Sequence, residues 1–382
     1  MLRPALFLLV AALTTVMTAT PHSAARAADP LIFISNFAPA PDGAIQAATF
    51  DLQTGTLKLG VRTTGAENPF FLALSKDRRF LYSIHAKNFG GQEPEQVAAY
   101  SLTGRTGELK LLNRVSSKGT ASCYLETDAT GKMVMVANYS TGSLAAYPVK
   151  PDGSLGEAAT FIQHAGSSVN PKRQKGPYAH CIVVSPDNRF AFAADLGLDQ
   201  ILGYKLDPAN AKLTPNVQPF ARTPPGGGPR HLTFHPHGKH LYAINELGNT
   251  VTMYNYVAES GLLLEQQTIS TVPEGFDGES YTADVKLTPD GKFLYGTNRG
   301  HDSIACYKVA ADGRLSLIKI EPSRGKGPQN LAILPGGGWL MCANMPGNNV
   351  AIFQINPQTG ELKPHGDTVP QTGPSCLMVV DK

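Results

Sequence analysis

Apolar residues in this chain come in short runs separated by polar turns, and no stretch keeps the 3.6-residue rhythm of an amphipathic helix. Six segments share one pattern, a polar turn followed by an apolar strand: DRRFLYSIH, GKMVMVANY, DNRFAFAADLG, GKHLYAINE, GKFLYGTNR and GGWLMCANM. LIFISNF is a seventh strand of the same type. The first strand residues, Leu31, Phe80, Met133, Phe190, His240, Phe293 and Trp339, recur about every 50 residues, the period of a propeller blade.

Two further markers keep the same frame. Strands ending in an aromatic residue lead into Thr54-Gly55, Thr106-Gly107, Asp152-Gly153, Ser260-Gly261, Asp312-Gly313 and Thr359-Gly360, with Ala211 in place of glycine in the remaining unit. Such pairs are hairpin signals. An apolar segment precedes each aligned turn: PFFLALS, SCYLET, AHCIVVS, PRHLTFH, TADVKLT and PQNLAIL. Its seventh copy, PSCLMVV, stands near the C-terminus with no second strand after it. The first strand of the chain lacks such a partner, so the two ends complete one blade. The expected fold is all-β, a seven-bladed β-propeller of four-stranded antiparallel blades closed by N- and C-terminal strands sharing a blade.

Composition agrees with this. With 42% hydrophobic and 16% charged residues, 38 Gly and 29 Pro, the chain is neither a disordered polymer nor a coiled coil, and it is rich in turns. A formal charge of +3 without a basic block excludes an electrostatic nucleic-acid footprint. Arg3, the apolar run ALFLLVAALTTVM and Ala25-Arg26-Ala27 read as a secretory signal over residues 1–27, leaving one domain over 28–382. The expectation is an exported, periplasmic protein with no membrane association after signal removal, since no other apolar run is of spanning length. Each of the five cysteines, Cys123, Cys181, Cys306, Cys342 and Cys376, lies in an apolar run, the setting of a packed thiol.

Polar residues fall at informative places in the repeat. Strand direction puts the ends of the second strands, the starts of the innermost strands and the long insertions on one face. The fifth residue after each strand start reads Asn36, His85, Asn138, Asp195, Asn245, Asn298 and Asn344, a structural Asx position, with a ring of metal ligands as the other reading. The next position reads Phe37, Ala86, Tyr139, Leu196, Glu246, Arg299 and Met345. The start of the innermost strand reads Phe70, Cys123, His180, Arg230, Ala283, Gln329 and Ser375. Neither position has a consensus, so the fold does not demand the four ionisable residues His180, Arg230, Glu246 and Arg299. An Arg230–Glu246 ion pair at a blade junction and a satisfied core histidine are the structural readings; convergence on one mouth is the functional one.

The segments RQ (173–174), PYAH (177–180), SPDNRF, DLGLDQI, GPRH, INE, TPDGKFLY and NRGHDSIA make the chain resemble the seven-bladed propeller lactonases, a family that includes 6-phosphogluconolactonases and carboxy-cis,cis-muconate cyclases. The resemblance implies His180, Arg230, Glu246 and Arg299 as catalytic residues, and Arg173, His231, Asn298 and His301 in the same motifs as substrate-binding ones. No cofactor and no metal is implied. Tyr178 stands where many relatives carry another histidine, and the export signal points toward an unphosphorylated sugar lactone or another carboxylate-bearing lactone. The implied activity is hydrolysis of a small anionic lactone, with Glu246, helped by His180, as general base on a water, and Arg230 and Arg299 holding the anion and oxyanion. No GxSxG elbow supports a serine nucleophile, and dinucleotide, P-loop and HExxH motifs are missing. The other readings are a muconate-type cyclase, a non-catalytic ligand- or protein-binding propeller, and a metal-dependent lactonase of the six-bladed kind.

Overall fold

The computed structural model describes residues 29–381 together with Met1, so the expected signal segment lies outside the described residues except for its first residue. Seven four-stranded antiparallel sheets are arranged in a ring. Blade 1 joins the C-terminal strand Pro374–Val380 to Leu31–Asn36, Ala44–Asp51 and Thr56–Thr64, with Leu31 facing Val380 and Ser35 facing Cys376. The expected closure is therefore present. The innermost strands of the other blades are Leu72–Leu74, Ser122–Thr127, Ala179–Val184, Pro229–Phe234, Tyr281–Leu287 and Pro328–Ile333, which number blades 2 to 7.

Blades stack face to face, so the second strand of each is buried on both sides and its run is continuously apolar rather than alternating. Phe80–His85 and Met133–Asn138 are buried throughout, whereas the outermost strands Thr56–Thr64 and Leu109–Ser116 are largely exposed or half-buried. All five cysteines are buried and unpaired.

The turn glycines do more than reverse the chain. Gly153, Gly313 and Gly360 have φ of 87°, 86° and 76°. Each packs on the preceding blade, where a Cβ would meet the rings of Phe80, His240 and Phe293 at 2.1, 2.7 and 2.2 Å. Tyr82, Tyr242 and Tyr295, from those same neighbouring blades, donate their hydroxyls to the carbonyls of these glycines at 3.2, 2.7 and 2.9 Å. The repeated Gly and the repeated aromatic strand are thus two halves of one inter-blade contact.

The Asx position is also structural. Asn138 donates to Ser117 O, Asn298 to Thr271 O and Asn344 to Ser323 O, at 3.1, 2.8 and 3.0 Å, tying each second strand to the loop that enters its blade. Blade 4 replaces the amide with Asp195, which accepts from His164 at 2.6 Å and from the backbone of Tyr178 and Gly197 at 2.8 and 3.0 Å.

Candidate active site at the channel mouth

The side chains that meet at the mouth are aimed by irregularities in the innermost strands. In blade 4 the pairing runs from Ala179–Asp195 straight to Cys181–Ala194, leaving His180 unpaired. The same skip leaves Arg230 unpaired in blade 5, Cys123 in blade 3 and Gln329 in blade 7. A bulge of this kind bends the strand and redirects its extra side chain. Here it swings the second residue of the strand into the channel. Glu246 and Arg299 arrive from the other direction, one residue beyond the Asx position on the second strands of blades 5 and 6.

These residues enclose a cavity of about 300 Å³, lined by Tyr139, Arg173, His180, Arg230, Glu246, Arg299 and Gln329 on its polar side and by Phe70, Phe89, Ala121, Cys123 and Met345 on its apolar side. Glu246 is its hub. Its Oε2 accepts from Arg230 Nε at 3.1 Å and Arg299 Nη2 at 2.8 Å, and its Oε1 accepts from Arg173 Nη2 at 2.8 Å. His180 Nε2 stands 3.8 Å from Oε2, too far for a direct hydrogen bond. Burial pushes the Glu246 carboxyl up, but Arg299, Arg230 and Arg173 outweigh it and hold the group below its usual range.

Two of the guanidiniums are fixed by backbone as well. Arg230 Nη1 donates to Ala283 O at 2.6 Å, and Arg299 Nη2 to Thr282 O at 3.0 Å. Arg173 also donates to the Tyr139 hydroxyl at 3.3 Å and lies over the Tyr281 ring at 5.4 Å. Arg230 Nη2, Arg173 Nη1 and Arg299 Nη1 have no partner among the described residues. Burial and the neighbouring Arg299 bring Arg230 down to about 10, so it stays cationic at neutral pH. His180 is pushed well below the usual histidine range by burial, Arg230 and His231, and is a neutral imidazole there. Its Nδ1 faces Cys123 Sγ at 3.5 Å. Burial raises the Cys123 thiol, which leaves it without nucleophilic thiolate character.

The four residues expected to be catalytic come together, and Arg173 joins them. Three expected to bind substrate do not line the cavity. His231 lies beneath it with both nitrogens committed: Nε2 accepts from Arg230 Nη1 at 3.1 Å, and Nδ1 donates to Asp284 Oδ1 at 2.8 Å. Burial and Arg230 push this imidazole down to about 4. Asn298 is fully buried, its amide N–H₂ group donating to Thr271 O and Ser303 Oγ. His301 bonds Ser303 Oγ at 2.7 Å and packs edge-on against Phe276. Tyr178 stacks on Tyr139 at 4.9 Å behind the wall. Phe89 and Ala121, which sequence reasoning missed, sit on loops outside the strand frame.

The family model described as lactonase, seven-bladed beta-propeller, matches residues 32–379. The chain belongs to this family. It is 34% identical over 334 residues to a Bacillus subtilis protein named 6-phosphogluconolactonase, covering 86% of this chain and 93% of that one. A Formosa agariphila protein of the same name is 32% identical over 354 residues, 91% and 99% of the two chains. Among solved structures, the Pseudomonas aeruginosa periplasmic gluconolactonase superposes with a TM-score of 0.86 at 30% identity, over 92% of this chain and 99% of that one. Among the described residues of this family member, no three His, Cys, Asp or Glu side chains are grouped to hold a metal ion.

Proposed function

We propose that the protein is a hydrolase that opens a sugar-type lactone to its hydroxy acid. One observation carries this reading: three guanidiniums converge on one carboxylate beside a neutral imidazole, and each keeps an N–H nitrogen uncommitted at the wall of a cavity sized for a small molecule. With Glu246 negative and Arg173, Arg230 and Arg299 positive, the site carries a net positive charge. That favours the oxyanion of a tetrahedral intermediate and the carboxylate of the product. The names of the relatives support the reaction class.

The geometry supports acid–base roles other than those expected of the sequence. Protonating Glu246 would break three ion pairs to a buried carboxylate, a costly step. Among the described residues His180 Nε2 makes no hydrogen bond, and it faces Glu246 Oε2 at 3.8 Å. In the proposed mechanism His180 takes the proton of the attacking water, Glu246 stabilises the imidazolium so formed, and the uncommitted N–H groups of the arginines receive the carbonyl oxygen as it gains charge. The leaving alkoxide recovers the proton from His180, which restores the site. The apolar wall of Phe70, Phe89 and Met345 lies against the ring carbons.

Export to the periplasm is part of the proposal. It is supported by the signal-like segment at residues 1–27 and by the periplasmic location that the Pseudomonas relative is named for. No helix among the described residues is long and apolar enough to cross a membrane. The decisive experiment measures hydrolysis of glucono-1,5-lactone and its 6-phosphate by the wild type and by His180→Gln. Turnover of either lactone that falls at least 100-fold in the variant upholds the reading. Turnover of neither, or an unaffected variant, refutes it.

A further inference from the structure

The loop that carries Arg173 and the loop that leads into Arg230 belong to different blade junctions, yet one buried carboxylate holds both. Asp199, in the turn between the second and third strands of blade 4, is 3% exposed. Its Oδ1 accepts from Gln174 Nε2 at 2.6 Å and from the Gly228 amide at 2.7 Å. Its Oδ2 accepts from Ser168 Oγ at 2.5 Å and from the Gly226 amide at 2.7 Å. Among the described residues, no cationic side chain lies within ion-pair distance of it, so four N–H and O–H donors alone stabilise this charge.

The repeat separates what is generic here from what is special. Asn249, Asp302 and Asn348 occupy the same turn position with φ of 48°, 53° and 51°, against 53° for Asp199. Asp302 accepts from the Gly327 amide, Asn348 accepts from the Gly373 amide, and Asn249 donates to Ser280 O, each steadying the entrance of the following blade. Only Asp199, of these four, also takes bonds from the loop preceding its own blade. That loop is organised around the same contact. Gln174, which binds Asp199, also donates to Leu196 O at 2.8 Å and accepts from the Asn170 amide at 2.9 Å, and Asn170 Oδ1 receives the Arg173 amide at 3.1 Å.

We propose that Asp199 is a positioning residue of the site: it clasps the Arg173 loop to the Gly226–Gly228 segment, so that Arg173 and Arg230 face Glu246 before any ligand arrives. The inference rests on the reading of Arg173 as a substrate-anion contact. Without the clasp the loop must be ordered at the expense of binding, so the loss appears in KM more than in kcat.

The test compares Asp199→Asn, Ser168→Ala and Asn348→Gly with the wild type. An amide at position 199 places an N–H₂ group against donors, Ser168→Ala removes one contact while sparing both glycine bonds, and Asn348→Gly removes the equivalent bond in blade 7. Lactone kinetics are read together with deuterium uptake over residues 165–178. The expected result is a KM raised about 10-fold or more in Asp199→Asn and about 3-fold in Ser168→Ala, with kcat within about 3-fold and faster loop exchange in both. Asn348→Gly leaves KM and loop exchange at wild-type values. Should Asp199→Asn fail to fold, Ser168→Ala decides. Unchanged loop exchange, or a KM no higher than that of Asn348→Gly, overturns the proposal. If the wild type turns over no lactone, the hydrolase reading falls and loop exchange alone decides the clasp: faster exchange in the Asp199 and Ser168 variants upholds it, and no change overturns it.

Discussion

Glu246 and Glu126 stand at opposite ends of one channel and are perturbed in opposite directions. At the site mouth, Glu246 is surrounded by three arginines and held below the usual carboxylate range. At the other end, the later residues of the innermost strands line a second cavity of about 340 Å³, mostly apolar, with Glu126 and Lys286 among its walls. Among the described residues Glu126 accepts only the Thr127 amide, at 3.2 Å, and burial pushes its carboxyl up to about 7. Lys286 is bonded to Asp284 at 3.0 Å and offsets that burial only partly. Stacked Phe71 and Tyr124, with His231 edge-on to both, lie between the two ends. The same side chain in the same channel is an anchor at one end and a reluctant acid at the other. Counter-ions, not depth, make the difference.

Removing the anchor is the strongest way to test this contrast. Glu246→Gln leaves three guanidiniums facing one another, and is expected to lower kcat/KM by about 10³-fold or more and to cost about 3–5 kcal/mol of stability. Steady-state kinetics and denaturant unfolding read the two effects. Glu126→Gln, by contrast, should leave kcat/KM within about 2-fold. Equal losses from the two variants would erase the distinction.

Next in size is Asp284→Asn. Fully buried Asp284 joins the two ends, accepting from His231, Lys286 and Asn330, the last at 2.8 Å. Loss of its charge is expected to destabilise the protein by about 3 kcal/mol. It should also lower kcat/KM about 10-fold, because His231 then loses the bond that fixes its tautomer and, through it, the aim of Arg230. An Asp284→Asn enzyme of wild-type activity would show that Arg230 needs no support from below.

The smallest effect is in the pH dependence of stability, and the two glutamates have opposite signs. The folded pKa of Glu246 is depressed, so its contribution is present above the unfolded value near 4.5 and fades as pH falls through the folded one. The folded pKa of Glu126 is raised to about 7, so its contribution is complete below about 4.5 and is lost as pH rises through 7. Glu126→Gln should therefore remove a loss on the order of 1 kcal/mol between pH 5 and 8. Unfolding curves at those two pH values measure it, and an unchanged difference would mean that Glu126 is solvated like an ordinary surface carboxylate.

The ring was legible in the residues because a blade repeats three signals at once: Phe80 and its equivalents, the glycines such as Gly153, and the inner-strand segments ending at PSCLMVV. Their cause was only partly legible. Gly153 read as a hairpin glycine, yet it also admits the Phe80 ring of the neighbouring blade. The site was visible wherever a repeat position broke consensus, which exposed His180, Arg230, Glu246 and Arg299 as residues the fold does not need. The motif resemblance, not this logic, put forward Asn298, whose position does have a consensus and is structural. The same resemblance put forward His231 and His301, whose partners Asp284 and Ser303 complete their bonding away from the cavity.

From the order of residues alone follow the number of blades, the closure of the ring and the face on which ionisable groups collect, since each depends on local pattern repeated at a fixed interval. Which of those groups touch, and in what protonation state, was settled only when the chain was folded. A bulge at the inner-strand starts of blades 4 and 5 turns His180 and Arg230 into the channel, and a strict alternation of side chains would have placed them on the faces of the sheet. The charge on Glu246 depends on guanidiniums brought from positions 173, 230 and 299, and no interval along the chain encodes a balance between burial and three such neighbours.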